Sequence, residues 1–216
     1  WKYHMGVEAV IFDFWGTLVE QGTYSPIRQT VKLLRVHDPL SKFVPELEEI
    51  FMTRKFPDQA TGFKELCMKF HVPPKPFIID QLIGLWNKNR LLAKTYPETI
   101  QVLVDLKKKG IKLALVSNSD CFGMHDLIKR FEMDSIFDVI SLSFETGMLK
   151  SNPALLPDIL KQLKVKKENA LMAGDSFESD IASAEAVGIA AVLVDRKGKR
   201  EYDRIVQDLT QLERYL

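Results

Sequence analysis

Five short apolar segments, spaced along the chain with helical patterns between them, restrict the fold more than any other feature. Val7–Phe12 is apolar and partly β-branched and reads as a buried strand, and Ile111–Val116, Phe137–Ser141, Ala170–Ala173 and Ala190–Val194 are four more candidates. Ile100, Leu103 and Val104 share a helical face, with Pro97 in the first turn and Gly110 ending the element. Met124, Leu127, Ile128 and Phe131 repeat at the same spacing. Asn152 and Pro153 open a helix carrying Leu155, Leu156, Ile159, Leu160 and Leu163. Ser179–Val187 reads as a helix stopped by Gly188, and Tyr202–Leu216 as a last amphipathic helix. Strands alternating with helices imply an α/β fold, a doubly wound parallel sheet covered on both faces.

The pattern changes after the first strand. Between Glu20 and about Lys94 no strand pattern appears, whereas four helical faces do. Ile27, Val31 and Leu34 form the first, and Leu47, Ile50 and Phe51 the second. Phe63, Leu66, Cys67 and Phe70 form the third. Ile79, Leu82, Ile83 and Trp86 form the fourth, beyond the stiff Val72–Pro76 link. A segment this long is too large for a loop. The expected division is a core of residues 1–19 and 93–216 with a small α-helical domain of residues 20–92 set on it, hinged near Val19–Tyr24 and Leu92–Tyr96.

Composition removes several functions. Thirty basic residues nearly balance 29 acidic ones, so no positive pole invites nucleic acid. The runs Lys107–Lys109 and Arg196–Arg200 read as a solvated helix end and loop. Cys67 and Cys121 form no metal-binding pattern and fit a reducing cytoplasm. No apolar run is long enough to span a membrane. Met5 reads as a natural start, with no signal peptide before the first strand. Oligomeric state leaves no mark.

In parallel α/β sheets, ligands gather at the carboxyl ends of strands. Asp13, Gly16 and Thr17 follow the first strand, and Ser117 and Asn118 the second. Lys150 follows the third by a few residues; Gly174, Asp175 and Ser176 follow the fourth, with Asp180 one turn further on. Taken singly, each has an ordinary alternative: an aspartate at a strand end often makes a turn, and Asp175 and Asp180 could both cap the next helix. Taken together, three acids on one edge call for a cation, and hard oxygen donors suit Mg²⁺. A magnesium ion beside Lys150 would attract a phosphate dianion, with Asp13 positioned as nucleophile.

These segments resemble the four motifs of the haloacid-dehalogenase-like superfamily, in order. Val10–Leu18 is similar to its first motif and Leu115–Asn118 to its second. Gly147–Pro153 is similar to the third, and Ala173–Asp180 to the fourth. The resemblance covers roughly residues 7–19 and 93–216, and the inserted helices match a superfamily cap in position and periodicity only. It implies Asp13 as nucleophile and metal ligand, with the backbone carbonyl of Trp15 as a second ligand. Gly16, Thr17, Ser117 and Asn118 would hold phosphate and nucleophile, Lys150 would neutralise charge, and Asp175 and Asp180 would serve the Mg²⁺. The implied substrate is a small phosphorylated molecule.

One departure matters. Phosphatases of this superfamily usually carry a second aspartate two residues after the nucleophile, which protonates the leaving oxygen. Here Trp15 stands there, with nothing to titrate. Alkyl phosphates should therefore turn over slowly unless another group compensates. An aromatic at this position resembles the dehalogenase branch, whose halide leaves without a proton. Asp175 and Phe177, where dehalogenases carry Ser and Asn, point back to phosphatase chemistry. A 2-haloacid dehalogenase and a catalytically weak phospho-ligand-binding protein remain the alternatives. In the helical segment, Arg28, Arg54, Lys55 and Arg90 could meet an anionic substrate, although solvated surface is the ordinary reading of each.

Overall fold

The computed structural model describes residues 6–20 and 25–216. Met5 and residues 21–24 of the expected first hinge lie outside them. Six parallel strands form one sheet: β1 (Ala9–Phe12), β2 (Lys112–Ser117), β3 (Val139–Leu142), β4 (Ala170–Gly174), β5 (Ala190–Val194) and β6 (Ile205–Val206). Helices α1 (Pro26–Leu34), α2 (Leu40–Phe51), α3 (Gln59–Lys69) and α4 (Pro76–Leu91) lie between β1 and β2 in the chain. Helices α5 (Thr99–Lys108), α6 (Met124–Arg130), α7 (Ser143–Thr146), α8 (Leu155–Leu163) and α9 (Ala182–Ala186) accompany the remaining strands.

The sheet order is β3-β2-β1-β4-β5-β6, so the chain reverses direction across β1. Such a reversal opens a crevice at the strand carboxyl ends. Strand alternation decides which residues cover which face. Val10, Phe12, Leu113, Leu115, Leu171 and Val192 pack with Leu103 and Leu106 of α5 and Leu127 and Ile128 of α6. Ala9, Ile11, Ala114, Met172 and Leu193 pack on the other face with Leu156, Ile159 and Leu163 of α8. Every residue of β1 is fully buried, as expected for the centre of a doubly wound sheet.

Three sequence expectations need correction. Residues 202–216 do not form one amphipathic helix. Ile205–Val206 instead add a sixth strand, and a 3₁₀ helix covers Leu209–Tyr215. The buried Val206, Leu209 and Leu212 are three apart, the 3₁₀ period, and the edge of β5 offers the β-branched pair a ladder. The third strand begins at Val139 rather than Phe137, because the Asp138 carboxylate accepts from the Leu113 amide at 2.7 Å and pairs with Lys107 at 2.6 Å. The helix expected from Ser179 opens with a wide π turn over Phe177–Ile181 before α9.

Helices α1 to α4 enclose an apolar cluster of their own. Phe51 is its centre, with ring centroids of Phe63 at 4.9 Å, Trp86 at 5.2 Å and Phe56 at 5.7 Å. Phe122 and Leu149, from loops after β2 and β3, join this cluster. The two connections to the sheet are paired at their base, where Val19 bridges Thr95 and the Glu20 amide donates to Lys94 at 2.9 Å. Buried Thr30 ties α1 to α4 by accepting the Trp86 indole N–H at 3.0 Å. Thr30→Val preserves shape but strands that N–H. We expect a loss of about 1–3 kcal/mol in urea unfolding. A change below about 0.5 kcal/mol would mean the indole finds another acceptor.

Candidate active site

The reversal of strand order places Asp13 between two strand ends. Its amide donates to Ala173 on β4 at 3.0 Å, and its side chain lies in the crevice, almost fully buried. The chain then turns sharply. Gly16 has φ of 81°, a left-handed conformation that a side chain would strain, and its amide donates to Val19 at 2.7 Å. This turn returns the buried Thr17, whose hydroxyl donates to Asp13 Oδ2 at 3.0 Å.

Lys150 reaches the same point from the loop after α7. Its Nζ lies 2.6 Å from Asp13 Oδ1 and 2.5 Å from Asp180 Oδ1, with only 5% of the side chain exposed. Burial alone would discharge this amine, but the two aspartates outweigh it and hold Lys150 firmly protonated. Asp180 comes from the π turn, where the Ser176 amide donates to its second oxygen at 2.9 Å. Gly174 makes room for it, since a Cβ at that position would fall 2.3 Å from Asp180 Oδ2.

Asp175 completes an acidic trio. One oxygen from each of Asp13, Asp175 and Asp180 lies within 4.8 Å of the others. Burial raises the Asp13 carboxyl to about 6, with Lys150 opposing and Asp180 adding to the rise. Asp175 is pushed up to about 8 by burial, then by Asp13 and Asp180. Carboxyls that resist ionisation this strongly are short of positive charge. The donor set is all oxygen, and a hard divalent cation fits it.

Ser117 ends β2 and Asn118 follows it. The Ser117 hydroxyl is buried with no hydrogen-bond partner among the described residues, an arrangement that costs about 1–3 kcal/mol unless a ligand relieves it. Asn118 Oδ1 accepts from the Lys150 amide at 2.9 Å, and its amide nitrogen donates to Glu48 of α2 at 2.9 Å. A cavity of about 160 Å³ opens above, lined by Asp13, Lys150 and Asp175 below and by Glu48, Trp86 and Arg90 of the helical segment. Trp15 forms part of its wall, with its ring edge-on to Phe14 at 5.0 Å.

All the expected site residues therefore meet at one edge: Asp13, Trp15, Gly16, Thr17, Ser117, Asn118, Lys150, Asp175 and Asp180. Of the four basic residues considered in the helical segment, only Arg90 lines this cavity, where it pairs with Asp120 at 2.8 Å. Arg54 pairs with Glu65 at 2.5 Å, and Arg28 and Lys55 are exposed. The basic run after β5 is not merely solvated. Arg196 lies 3.7 Å over the Tyr96 ring, pairs with Glu98 and donates to the Thr17 carbonyl at 2.5 Å. Arg200 donates to the Asp175 carbonyl. These two side chains clamp the loops that carry Asp13 and Asp175. Sequence reasoning passed over them, and over Glu48 and Asp120, because nothing local distinguishes them from surface charge.

The profile of the haloacid dehalogenase-like hydrolases matches residues 10–194. This chain belongs to the haloacid dehalogenase-like hydrolase family. A glyceraldehyde 3-phosphate phosphatase of Methanothermobacter thermautotrophicus is 26% identical over 226 aligned positions, covering 97% of this chain and all of that one. Among solved structures, a phosphatase of this family from Thermococcus onnurineus superposes with a TM-score of 0.64 at 24% identity, covering 96% of this chain and 97% of that one. A 2-haloacid dehalogenase from Pseudomonas syringae pv. Tomato reaches 0.65 at 21% identity, over 96% and 97% of the two chains. These two structures share the hydrolase fold yet are named for different reactions, so likeness of fold alone does not choose the chemistry. Within the described residues, no helix of this hydrolase is long and apolar enough to cross a membrane.

Proposed function

We propose that this hydrolase is a Mg²⁺-dependent phosphatase of small phosphorylated molecules, acting through a phosphoryl group carried on Asp13. The observation that carries this reading is the trio of carboxylates within 4.8 Å, with the Lys150 ammonium 2.6 Å from Asp13. A haloacid has one negative charge and needs no cation, so a third carboxylate beside the nucleophile would only repel it. A phosphate dianion needs more positive charge than Lys150 alone supplies. The kinship to a named phosphatase along the whole chain supports the same choice.

Asp13, Asp175 and Asp180, with the backbone carbonyl of Trp15, would hold the Mg²⁺. Bound there, the ion would screen phosphate from the carboxylates and stabilise charge on the transferring group. The chain's own residues do the rest. Thr17 donates to one Asp13 oxygen and so orients the other toward phosphorus. The Ser117 hydroxyl, without a partner among the described residues, and the Lys150 ammonium receive phosphate oxygens. Asp13 attacks, the P–O bond to the leaving group breaks, and water later cleaves the acyl phosphate. Helices α1 to α4 act as a cap over the cavity and exclude bulk water from that intermediate. The small cavity favours a compact substrate.

The test is hydrolysis of p-nitrophenyl phosphate across a magnesium titration, with halide release from short 2-haloacids measured in parallel. Turnover should rise with Mg²⁺ and vanish with chelator, and no halide should appear. Chelator-insensitive phosphate release, or halide release without metal, would refute the reading.

A further inference from the structure

An alkoxide leaving group needs a proton, and Trp15 has none to give. We propose that Glu48, carried by α2 across the cavity from the nucleophile, donates that proton; the proposal rests on the phosphatase reading above. The leaving oxygen would point away from Asp13, since attack and departure are in line. It therefore points toward the helical side of the cavity, where Glu48 lies.

The hydrogen bonds define which Glu48 oxygen is available. Asn118 is oriented by the Lys150 amide, which donates to its Oδ1 at 2.9 Å. Its Nδ2 must then face Glu48, and it donates to Oε2 at 2.9 Å. Oε2 is thereby an acceptor, and a proton on this carboxyl belongs on Oε1, which has no hydrogen-bond partner among the described residues. Asn118 itself sits beside the phosphate site, so the donor is anchored to the group that positions its substrate.

The surroundings favour a protonated acid. Burial raises the Glu48 carboxyl; Lys150 and the Asn118 hydrogen bond oppose this, and Asp180 adds to it. The other charged groups around the cavity are Asp13, Asp175, Arg90 and Asp120. Asp13 and Asp175 belong to the cation site. Asp120 is a weaker choice, because one of its oxygens takes both Arg90 at 2.8 Å and the Phe122 amide at 2.8 Å. The step balances. As the bond from phosphorus to the leaving oxygen breaks and the bond to Asp13 forms, the Oε1 proton passes to the leaving oxygen and Glu48 becomes a carboxylate. That carboxylate then takes a proton from the water attacking the acyl phosphate and is restored.

The experiment compares kcat/KM for an alkyl phosphate and for p-nitrophenyl phosphate, whose leaving group departs as a stable anion, in wild type, Glu48→Gln and Asp120→Asn. Glu48→Gln keeps an oxygen for Asn118 but loses the acid. The alkyl substrate should fall by about 10²–10⁴-fold and the nitrophenyl substrate by less than about tenfold. The fall of alkyl turnover at alkaline pH should disappear with it. Adding Trp15→Asp to Glu48→Gln should restore alkyl turnover more than aryl turnover. If Glu48→Gln folds poorly by circular dichroism, Glu48→Asp, which withdraws the acid by one methylene, should show the same selectivity in weaker form. Equal losses on both substrates would reduce Glu48 to a prop for Asn118 and overturn the proposal. So would no loss, or a selective loss in Asp120→Asn alone. Wild-type aryl turnover that depends on Asp13 would leave the phosphatase reading standing in each case.

Discussion

Replacing Asp13 with asparagine should lower kcat for p-nitrophenyl phosphate by at least roughly 10⁴-fold at saturating Mg²⁺, the scale on which removal of a covalent nucleophile acts. The substitution changes little else in shape. The amide oxygen can still accept from Lys150, which lies 2.6 Å from Asp13 Oδ1. The amide nitrogen cannot accept from Thr17 as Oδ2 does at 3.0 Å, so the hydroxyl must turn. A neutral amide attacks phosphorus poorly and forms no acyl phosphate. It also weakens the cation site, which explains the choice of saturating metal: any remaining deficit then belongs to the nucleophile. Inorganic phosphate should still bind, because one negative charge has left the pocket. Turnover within about tenfold of wild type would exclude Asp13 as the attacking group.

Lys150→Met should destabilise the metal-free protein by about 3–5 kcal/mol at neutral pH, the usual penalty for removing one partner of a buried ion pair. Methionine fills similar space, so the loss is electrostatic. Lys150 is only 5% exposed and is the shared partner of Asp13 and Asp180, with Asp175 in the same trio. Without it, the three carboxyl groups face one another out of water with no cation between them. Mg²⁺ should recover part of the deficit, since a ligand that binds only the native state stabilises it by mass action. The pH dependence has a definite sign. Asp13 is raised from 3.8 to about 6 and Asp175 from 3.8 to about 8, so the native protein retains protons that the unfolded chain has released. The unfolded state then binds fewer protons, and stability falls as pH rises through that window. Metal-free wild type should lose stability between about pH 4 and 8, Lys150→Met should lose it more steeply, and Mg²⁺ should flatten both curves. Urea melts with and without chelator measure all of this. A Lys150→Met protein as stable as wild type in chelator would show that the acids are balanced without this ammonium.

The legible part of the site shares one property. Asp13, Ser117, Asn118, Lys150 and Asp175 each follow an expected strand in the chain, and those strands announce themselves by short apolar runs. The carboxyl-end rule then collects their neighbours without knowledge of strand order. Asp180 was legible by its spacing from Asp175, although the π turn that presents it was not. A helical pattern from Ser179 reads alike whether its first turn is tight or wide, and the choice is made by the Ser176 amide reaching the Asp180 carboxylate at 2.9 Å. The last fifteen residues misled for a related reason. Apolar residues three apart suit a 3₁₀ helix and an α-helix almost equally over so short a stretch, and the open edge of β5 decided the outcome.

Glu48 lay beyond any local reading. Glu46, Glu48 and Glu49 are equivalent in sequence. Only the burial of Phe43, Leu47 and Phe51 sets the rotation of α2 that turns Glu48 toward Asn118. Arg196 and Arg200 were hidden in the same way, since a basic loop looks solvated until Thr17 and Asp175 arrive beside it from residues far away in the chain. The amino-acid sequence alone determined five of the six strands, the two-sided burial of the sheet and the residues gathered at its carboxyl edge, because periodicity and strand-end position are local properties. Tertiary structure alone decided which helical carboxyl lines the cavity opposite Asp13 and which arginines clamp the neighbouring loops, because those contacts join segments whose meeting depends on packing over the whole chain.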